Sequence, residues 1–251
     1  MYLPLYNGSE RKYIIRVPAR LCFLTVSTPL VAFVICVLLT IYKDSEKANN
    51  THCKVPNVLP SISASIGNFE PQSSIWKTAI YVHSPIRFYI VYLRWQYYKT
   101  VISENCEVVV NLAVILNIIE NLALIGLTYW TSSGNYPYHE VCFKLFIATS
   151  VFYMLFICIL LTNNRRRPNI SFRERHSVRL KWRAFIVNVA SFACAAYFFL
   201  RHNRLCEPYV YSMFGLSEYI VVISNILFHL TTIYDLRLQY IYFTKNGVIA
   251  E

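Results

Sequence analysis

LCFLTVSTPLVAFVICVLLTIY, residues Leu21–Tyr42, contains no charged side chain. Crossing the hydrocarbon of a bilayer takes about 20 predominantly apolar residues, so this stretch alone marks a chain whose solvent is lipid. Pro29 falls inside it and is tolerable, because neighbouring helices can satisfy the carbonyl that proline frees.

Working outward, the same reading finds further spans at 75–97, 108–130, 141–162, 184–200 and 209–233. The expectation is an all-α integral membrane protein: one six-span domain over 1–251, both termini cytosolic. The second segment is the least apolar, since it carries His83, Arg87 and Arg94. The fifth is short and should stand nearly upright. Hydrophobic residues make up 56% of the chain and charged ones 15%, against about a quarter charged in a soluble domain. The first run is too long for a signal-peptide core and no A-x-A-like site follows it, so it reads as an uncleaved span.

The net charge of +11 would suit nucleic acid, but its placement does not. Basic residues concentrate in 163–183 (Arg165, Arg166, Arg167, Arg173, Arg175, Arg179, Lys181, Arg183) and before the first span (Arg11, Lys12, Arg16, Arg20). An even span count puts both groups on one face, which the positive-inside rule makes cytosolic. Their role is then orientation and contact with anionic lipid, not nucleic acid.

The opposite face carries 43–74, 131–140 and 201–208. The first of these holds Cys53, Pro56, Pro60 and Pro71, a pattern of an ordered loop lying over the bundle mouth. Cys53 and Cys206 both fall on this lumenal side, where disulfides are permitted, and are the expected pair, with Cys142 as the rival partner. Asn49-Asn50-Thr51 is a sequon close to the membrane. The matches at Asn7 and Asn169 fall on the cytosolic side.

Ionisable groups inside the apolar runs carry the chemistry. At 3.6 residues per turn, His83, Arg87 and Arg94 share an arc of about 40°, as do Glu218, Asn225 and His229. Asn117, Glu120 and Asn121 lie within about 100° on the third span. A charge at a helix centre costs roughly 2.5–3.5 kcal/mol, so these stripes must face one another or a watery cavity. Arg87, Glu120 and Glu218 lie at similar depth and are expected to pair, while Arg94 could snorkel to the cytosolic surface. Such groups either glue the bundle or line a site for the polar part of a lipid, with His83 able to move a proton. Ser84 is a poor nucleophile for His83, because adjacent helical residues do not face each other. Arg201 and His202 could grip phosphate or anchor a headgroup. No metal-ligand spacing, P-loop, dinucleotide fingerprint or G-x-S-x-G elbow is present.

Several strings resemble one family. They are Thr51-His52-Cys53-x-Val55-Pro56-Asn57-x-Leu59-Pro60-Ser61, His83-Ser84-x-x-Arg87-Phe88, Glu120-Asn121-Leu122-Ala123-Leu124 and His139-Glu140. To these add Arg201-His202-Asn203-x-x-Cys206-Glu207, Glu218-Tyr219-x-Val221-Val222, Asn225, Phe228-His229 and Asp235. Together, over nearly the whole length, they resemble the Frag/DRAM-like membrane proteins of the post-GPI-attachment to proteins factor 2 family. One departure is Pro85, directly after His83-Ser84, where relatives can place it a residue later.

The resemblance implies remodelling of GPI-anchor lipid in the Golgi membrane, with the endoplasmic reticulum as the other location. Lyso-GPI would be reacylated at sn-2 with a saturated, stearoyl-type chain. The chain would act either as the acyltransferase or as a non-catalytic lipid-binding or escort protein for a separate enzyme. No cofactor is implied beyond an acyl donor, acyl-CoA or phospholipid, as co-substrate. The partners implied are the lipid moiety of GPI-anchored proteins, membrane lipids and other remodelling enzymes. Ester formation needs a base and an oxyanion stabiliser, roles that fit His83 or Glu120 and Arg87. Glu218, Asn225, Asn121, Arg201 and His202 are then the substrate contacts. A transporter would show paired broken helices in internal repeats, and no such halves are found.

Overall fold

A computed structural model of the chain describes residues 13–16, 19–167, 169–236, 240–244 and 247–250, with side chains from 21 to 167 and from 169 to 236. In chain order the elements are β1 (Tyr13–Arg16), α1 (Ala19–Lys43), α2 (Ser45–Ala48), α3 (Ile62–Gly67) and α4 (Gln72–Val101), then α5 (Glu107–Tyr129), α6 (Tyr136–Asn163), α7 (Phe172–Leu205), α8 (Val210–Leu230), α9 (Thr232–Leu236), β2 (Tyr240–Thr244) and β3 (Gly247–Ala250). A 3₁₀ turn, Glu104–Cys106, joins α4 to α5.

The helical body agrees with the apolar periodicity. Among the described residues, α1, α5, α6, α7 and α8 with α9 are long and apolar enough to cross a membrane. Helix α4 has the length but not the apolarity, because its 30 residues include Lys77, Arg87, Arg94 and Lys99. It packs against α1 on one side and α5 on the other, which turns its charged stripe inward. Apolar side chains such as Phe23, Leu38, Ile115, Val141, Phe152, Ile186 and Leu227 are exposed around the outside, as a lipid-facing surface requires.

Helix α7 differs from the expected short, upright fifth span. It begins at Phe172 and continues through the arginine-rich segment for 34 residues, about 51 Å at 1.5 Å per residue. A capping box, Ser171 with Glu174, starts it. Charge ends an apolar run but not a helix: arginine is a good helix former, so hydropathy alone places the start too late.

Segment 44–71 is ordered and packs over one end of the bundle. The Val58 and Leu59 amides donate to Ser212 Oγ at 2.8 and 3.2 Å, and Tyr219 OH donates to the Pro60 carbonyl at 2.7 Å. The Tyr209 amide donates to the Pro56 carbonyl at 2.9 Å. Gly215 permits this approach, since a Cβ there would stand 2.9 Å from the Pro60 carbonyl oxygen. The Asn49 side chain is buried and donates to the Ser45 carbonyl at 2.9 Å. Cys53 and Cys206 form a disulfide. The rival, Cys142, is a free thiol packed on Gly126 between α5 and α6.

Two features lie beyond the sequence expectation. The terminal segments pair as a three-stranded antiparallel sheet in the order β1-β2-β3, with Tyr13 opposite Phe243 and Ile241 opposite Ala250. Their β-branched and aromatic residues suit pairing, and strand content is confined to them among the described residues. The sequon at Asn7 and the basic residues Arg11 and Lys12 lie outside the described residues. Second, Lys181 and Asp235 form a buried ion pair at 2.6 Å, joined by Ser177, which donates to the carboxylate at 2.7 Å. This pair holds α7 to α9.

Candidate functional site

Two apolar cores flank a polar layer. One gathers Phe33, Cys36, Trp76 and Ile80 beneath the ordered loop, and the other gathers Leu93, Tyr97, Met154, Ile157 and Phe228 toward the opposite end. Between them, α4, α5 and α8 turn their polar stripes toward one another, as the cost of burying charge in lipid requires.

Glu120 is the centre of that layer and is fully buried. Its Oε1 accepts from Arg87 Nη2, Asn225 Nδ2 and His229 Nε2, each at 3.0 Å. Its Oε2 accepts from Asn117 Nδ2 at 2.7 Å. Arg94 supports these partners from below: Nη1 donates to His229 Nδ1 and to Tyr153 OH, and Nη2 to Asn117 Oδ1, all at 2.8 Å. Asn225 also donates to Ser150 Oγ at 2.6 Å. These partners fix the His229 tautomer. Nδ1 accepts from a guanidinium that can only donate, so Nε2 bears the hydrogen and the ring is neutral.

The expected pairing of Arg87 with Glu120 is therefore present, whereas Glu218 stands apart. It accepts from the Ile62 amide at 3.1 Å, beneath the ordered loop. Seven residues separate it from Asn225, about 10 Å along the helix, so two groups on one stripe reach different layers. Arg94 does not snorkel: it is 3% exposed, because Asn117, Tyr153 and His229 give it more hydrogen bonds inside than a long reach to the surface would.

His83 does not join the cluster. It is buried, and its Nδ1 hydrogen points at the Ala79 carbonyl at 3.1 Å, which leaves the Nε2 lone pair without a partner among the described residues. Asn121 is likewise buried with both side-chain polar atoms unpartnered. Ser84 donates to the Ile80 carbonyl at 2.6 Å, so it is engaged along its own helix. A cavity of about 30 Å³ touches Arg87, Arg94, Asn225 and His229 together with Cys22 and Thr25 of α1. That admits about one or two waters and no acyl chain.

Arg201 and His202 belong to the loop end. Arg201 forms a fork with Glu207 at 2.5 and 3.0 Å. That hydrogen-bonded guanidinium holds the Glu207 carboxyl below the usual carboxylate range. His202 is buried, 3.1 Å from Thr51 Oγ1 and packed against the His52 and Tyr211 rings. His52, Cys53 and Cys206 cluster tightly enough to suggest metal, but both sulfurs are in the disulfide and cannot be thiolate ligands.

The sequence places Arg94, His229 and Asn117 on polar stripes without a site role of their own, and gives no indication of Tyr153 or Ser150. His229 was visible on the α8 stripe and Asn117 on the α5 stripe. Tyr153 and Ser150 carry no periodic signal, since helix α6 is apolar around its whole circumference.

Residues 18–239 match the family described as the Frag1/DRAM/Sfk1/Cwh43P N-terminal domain. The chain is 42% identical over 236 residues to a Drosophila pseudoobscura pseudoobscura protein named post-GPI attachment to proteins factor 2, covering 93% of this chain and 92% of that one. It is 38% identical over 213 residues to a Xenopus tropicalis protein named acyltransferase PGAP2, covering 84% of each. A Danio rerio protein of the same name is 37% identical over 206 residues, 80% of this chain and 88% of that one. No solved structure matches.

Proposed function

Because the chain belongs to the Frag1/DRAM/Sfk1/Cwh43P family, we propose that it remodels the lipid of GPI-anchored proteins, reacylating lyso-GPI at sn-2 with a saturated chain in the Golgi membrane. Its relatives' names, post-GPI attachment factor and acyltransferase, support the substrate class and the reaction. In this proposal 1–251 is a single six-span domain, with α4 as the sixth crossing. The arginine-rich end faces the cytosol, and the disulfide-tied loop faces the lumen with the GPI glycan.

The observation that carries an enzymatic role is the pair of unlike groups on one face of α4. His83 is a neutral imidazole with a bare Nε2, held in orientation by the Ala79 carbonyl. Arg87 stands four residues on, about 6 Å along the helix, and is anchored by Glu120. In acyl transfer the sn-2 hydroxyl oxygen attacks the donor's carbonyl carbon, His83 takes the hydroxyl proton, and Arg87 holds the developing oxyanion. The C–O bond forms as the donor's thioester or ester bond breaks, and the leaving group receives the proton from His83. Glu120 positions Arg87. Asn121 offers its unpartnered amide to the substrate, and Glu218, Asn225, Arg201 and His202 shape the path from the loop end.

A second role, as a non-catalytic lipid escort for a separate acyltransferase, is favoured by one observation. The cavity beside the cluster holds only about 30 Å³, so a lipid enters only if helices separate. Purified protein in defined lipid, given lyso-GPI and a labelled acyl donor, tests the choice. Transfer that is lost in His83→Ala supports the enzyme. No transfer by folded wild-type protein supports the escort.

A further inference from the structure

The turn between α6 and α7 is built, not merely basic. The Arg166 amide donates to the Val101 carbonyl at 2.9 Å, and the Ser103 amide to the Asn164 carbonyl at 2.8 Å, so residues 164–166 are stitched to the α4–α5 turn. Against this brace lies a cavity of about 180 Å³ lined by Thr100, Val101, Arg165, Arg166, Arg167, Asn169, Ile170 and Glu174. At a liquid share of about 30 Å³ per water, it has room for a tetrahedral oxyanion with some of its hydration.

Charge in this cavity is unbalanced. Three arginines line it against one acid, Glu174, and a second acid, Glu104, pairs with Arg166 from outside the lining. Glu174 is itself occupied by the Ser171 cap and only distantly by Arg165, at 3.4 Å. Arg166 is braced by the Ile102 carbonyl at 2.7 Å and Glu104 at 3.2 Å. The Arg165 side chain is 7% exposed, yet its Nε has no partner among the described residues. A buried guanidinium donor left unpaired costs about 1–3 kcal/mol or more, while Nη2 of the same group donates to Tyr97 OH at 3.3 Å. Arg167 and Asn169 are exposed at the rim, where a ligand can enter.

We infer that this cavity, between the α4–α5 and α6–α7 turns, binds a phosphate monoester. The three arginines supply the positive charge that a phosphate dianion requires, Arg167 is the one exposed at the rim, and the Asn169 amide stands beside it. Two cytosolic ligands carry such a group: the headgroup of a phosphorylated inositol lipid and the 3′-phosphate of a coenzyme A thioester. The choice of cytosolic ligands rests on the orientation given in the proposed function, while the binding measurement reads the site without any remodelling activity.

Full-length protein in phosphatidylcholine nanodiscs is titrated with coenzyme A, dephospho-coenzyme A, inositol trisphosphate and inositol, and binding is measured by calorimetry. At least one phosphorylated probe is expected to bind ten-fold or more tightly than its dephosphorylated counterpart. Preference for coenzyme A marks a thioester ligand, and preference for inositol trisphosphate marks a lipid headgroup. Arg165→Lys and the rim variant Arg167→Gln are each expected to weaken that probe at least five-fold, and Arg167→Gln to leave the unfolding midpoint unchanged. Affinity that ignores the monoester, or that survives both substitutions, overturns the assignment.

Discussion

Lys181 Nζ lies 2.6 Å from Asp235 Oδ2, with the two side chains 1% and 2% exposed. They are 54 residues apart in sequence, and the contact fixes α9, the last helix among the described residues, to the basic half of α7. Losing one member of a buried pair leaves an uncompensated charge and costs about 3–5 kcal/mol. Lys181→Ala and Asp235→Ala are each expected to lower the thermal unfolding midpoint in detergent markedly. Lys181→Met with Asp235→Leu should recover most of the loss. A double variant as unstable as the sum of the singles would refute a pairwise role.

Glu120→Gln keeps the shape of the central side chain and removes its charge, stranding Arg87 in the interior. The expected result is loss of both abundance and remodelling, with a stability cost of about 3 kcal/mol or more. Adding Arg87→Gln should restore abundance, measured by fluorescence size-exclusion, but not remodelling, measured by release of the anchor lipid for mass analysis. Restoration of both would remove Arg87 from the chemistry.

His83 has no partner at Nε2, so its replacement breaks only the bond to Ala79. His83→Gln is expected to leave the unfolding midpoint within a few degrees of wild type while slowing transfer about 10²–10⁴-fold, the usual worth of a general base. Equal losses of stability and activity would assign His83 to the scaffold.

At Gly215 a Cβ would meet two consecutive backbone carbonyls of the ordered loop, at 2.9 Å for Pro60 and 3.3 Å for Leu59. Backbone cannot move aside as a flexible side chain would. Gly215→Ala should therefore cost about 1–3 kcal/mol, the range for overpacking, and speed proteolysis within residues 54–61. Wild-type protease resistance would show that the loop does not depend on this approach.

The helical architecture was legible because lipid imposes a simple code. Runs such as Leu21–Tyr42 must be helices, and costly groups on them must face inward; arcs and depth together predict pairing among Arg87, Glu120 and Glu218, of which the Arg87–Glu120 contact is present. Placing Cys53 and Cys206 at one end makes their bridge the expected one, with Cys142 as rival, and the structure decides for Cys206. What the code does not carry is axial register between helices. Glu218 and Asn225 share a face, yet one meets Ile62 and the other Glu120, and only packing decides which. Nor does hydropathy see helix continuing through charge, so both the start of α7 and the Lys181–Asp235 pair within its basic half were hidden. The terminal sheet was hidden too, since its short strands lack a signal comparable with the spans.

Helix α7, at about 51 Å, exceeds the roughly 30 Å hydrocarbon thickness and is unbroken from the capping box at Ser171 to the disulfide at Cys206. It is a single stiff strut whose two tips carry the arginine cavity and the tethered loop. A tilt imposed at either tip is delivered to the other without an intervening joint. The arginine-lined end and the looped end of the bundle are thereby coupled as parts of one rigid rod.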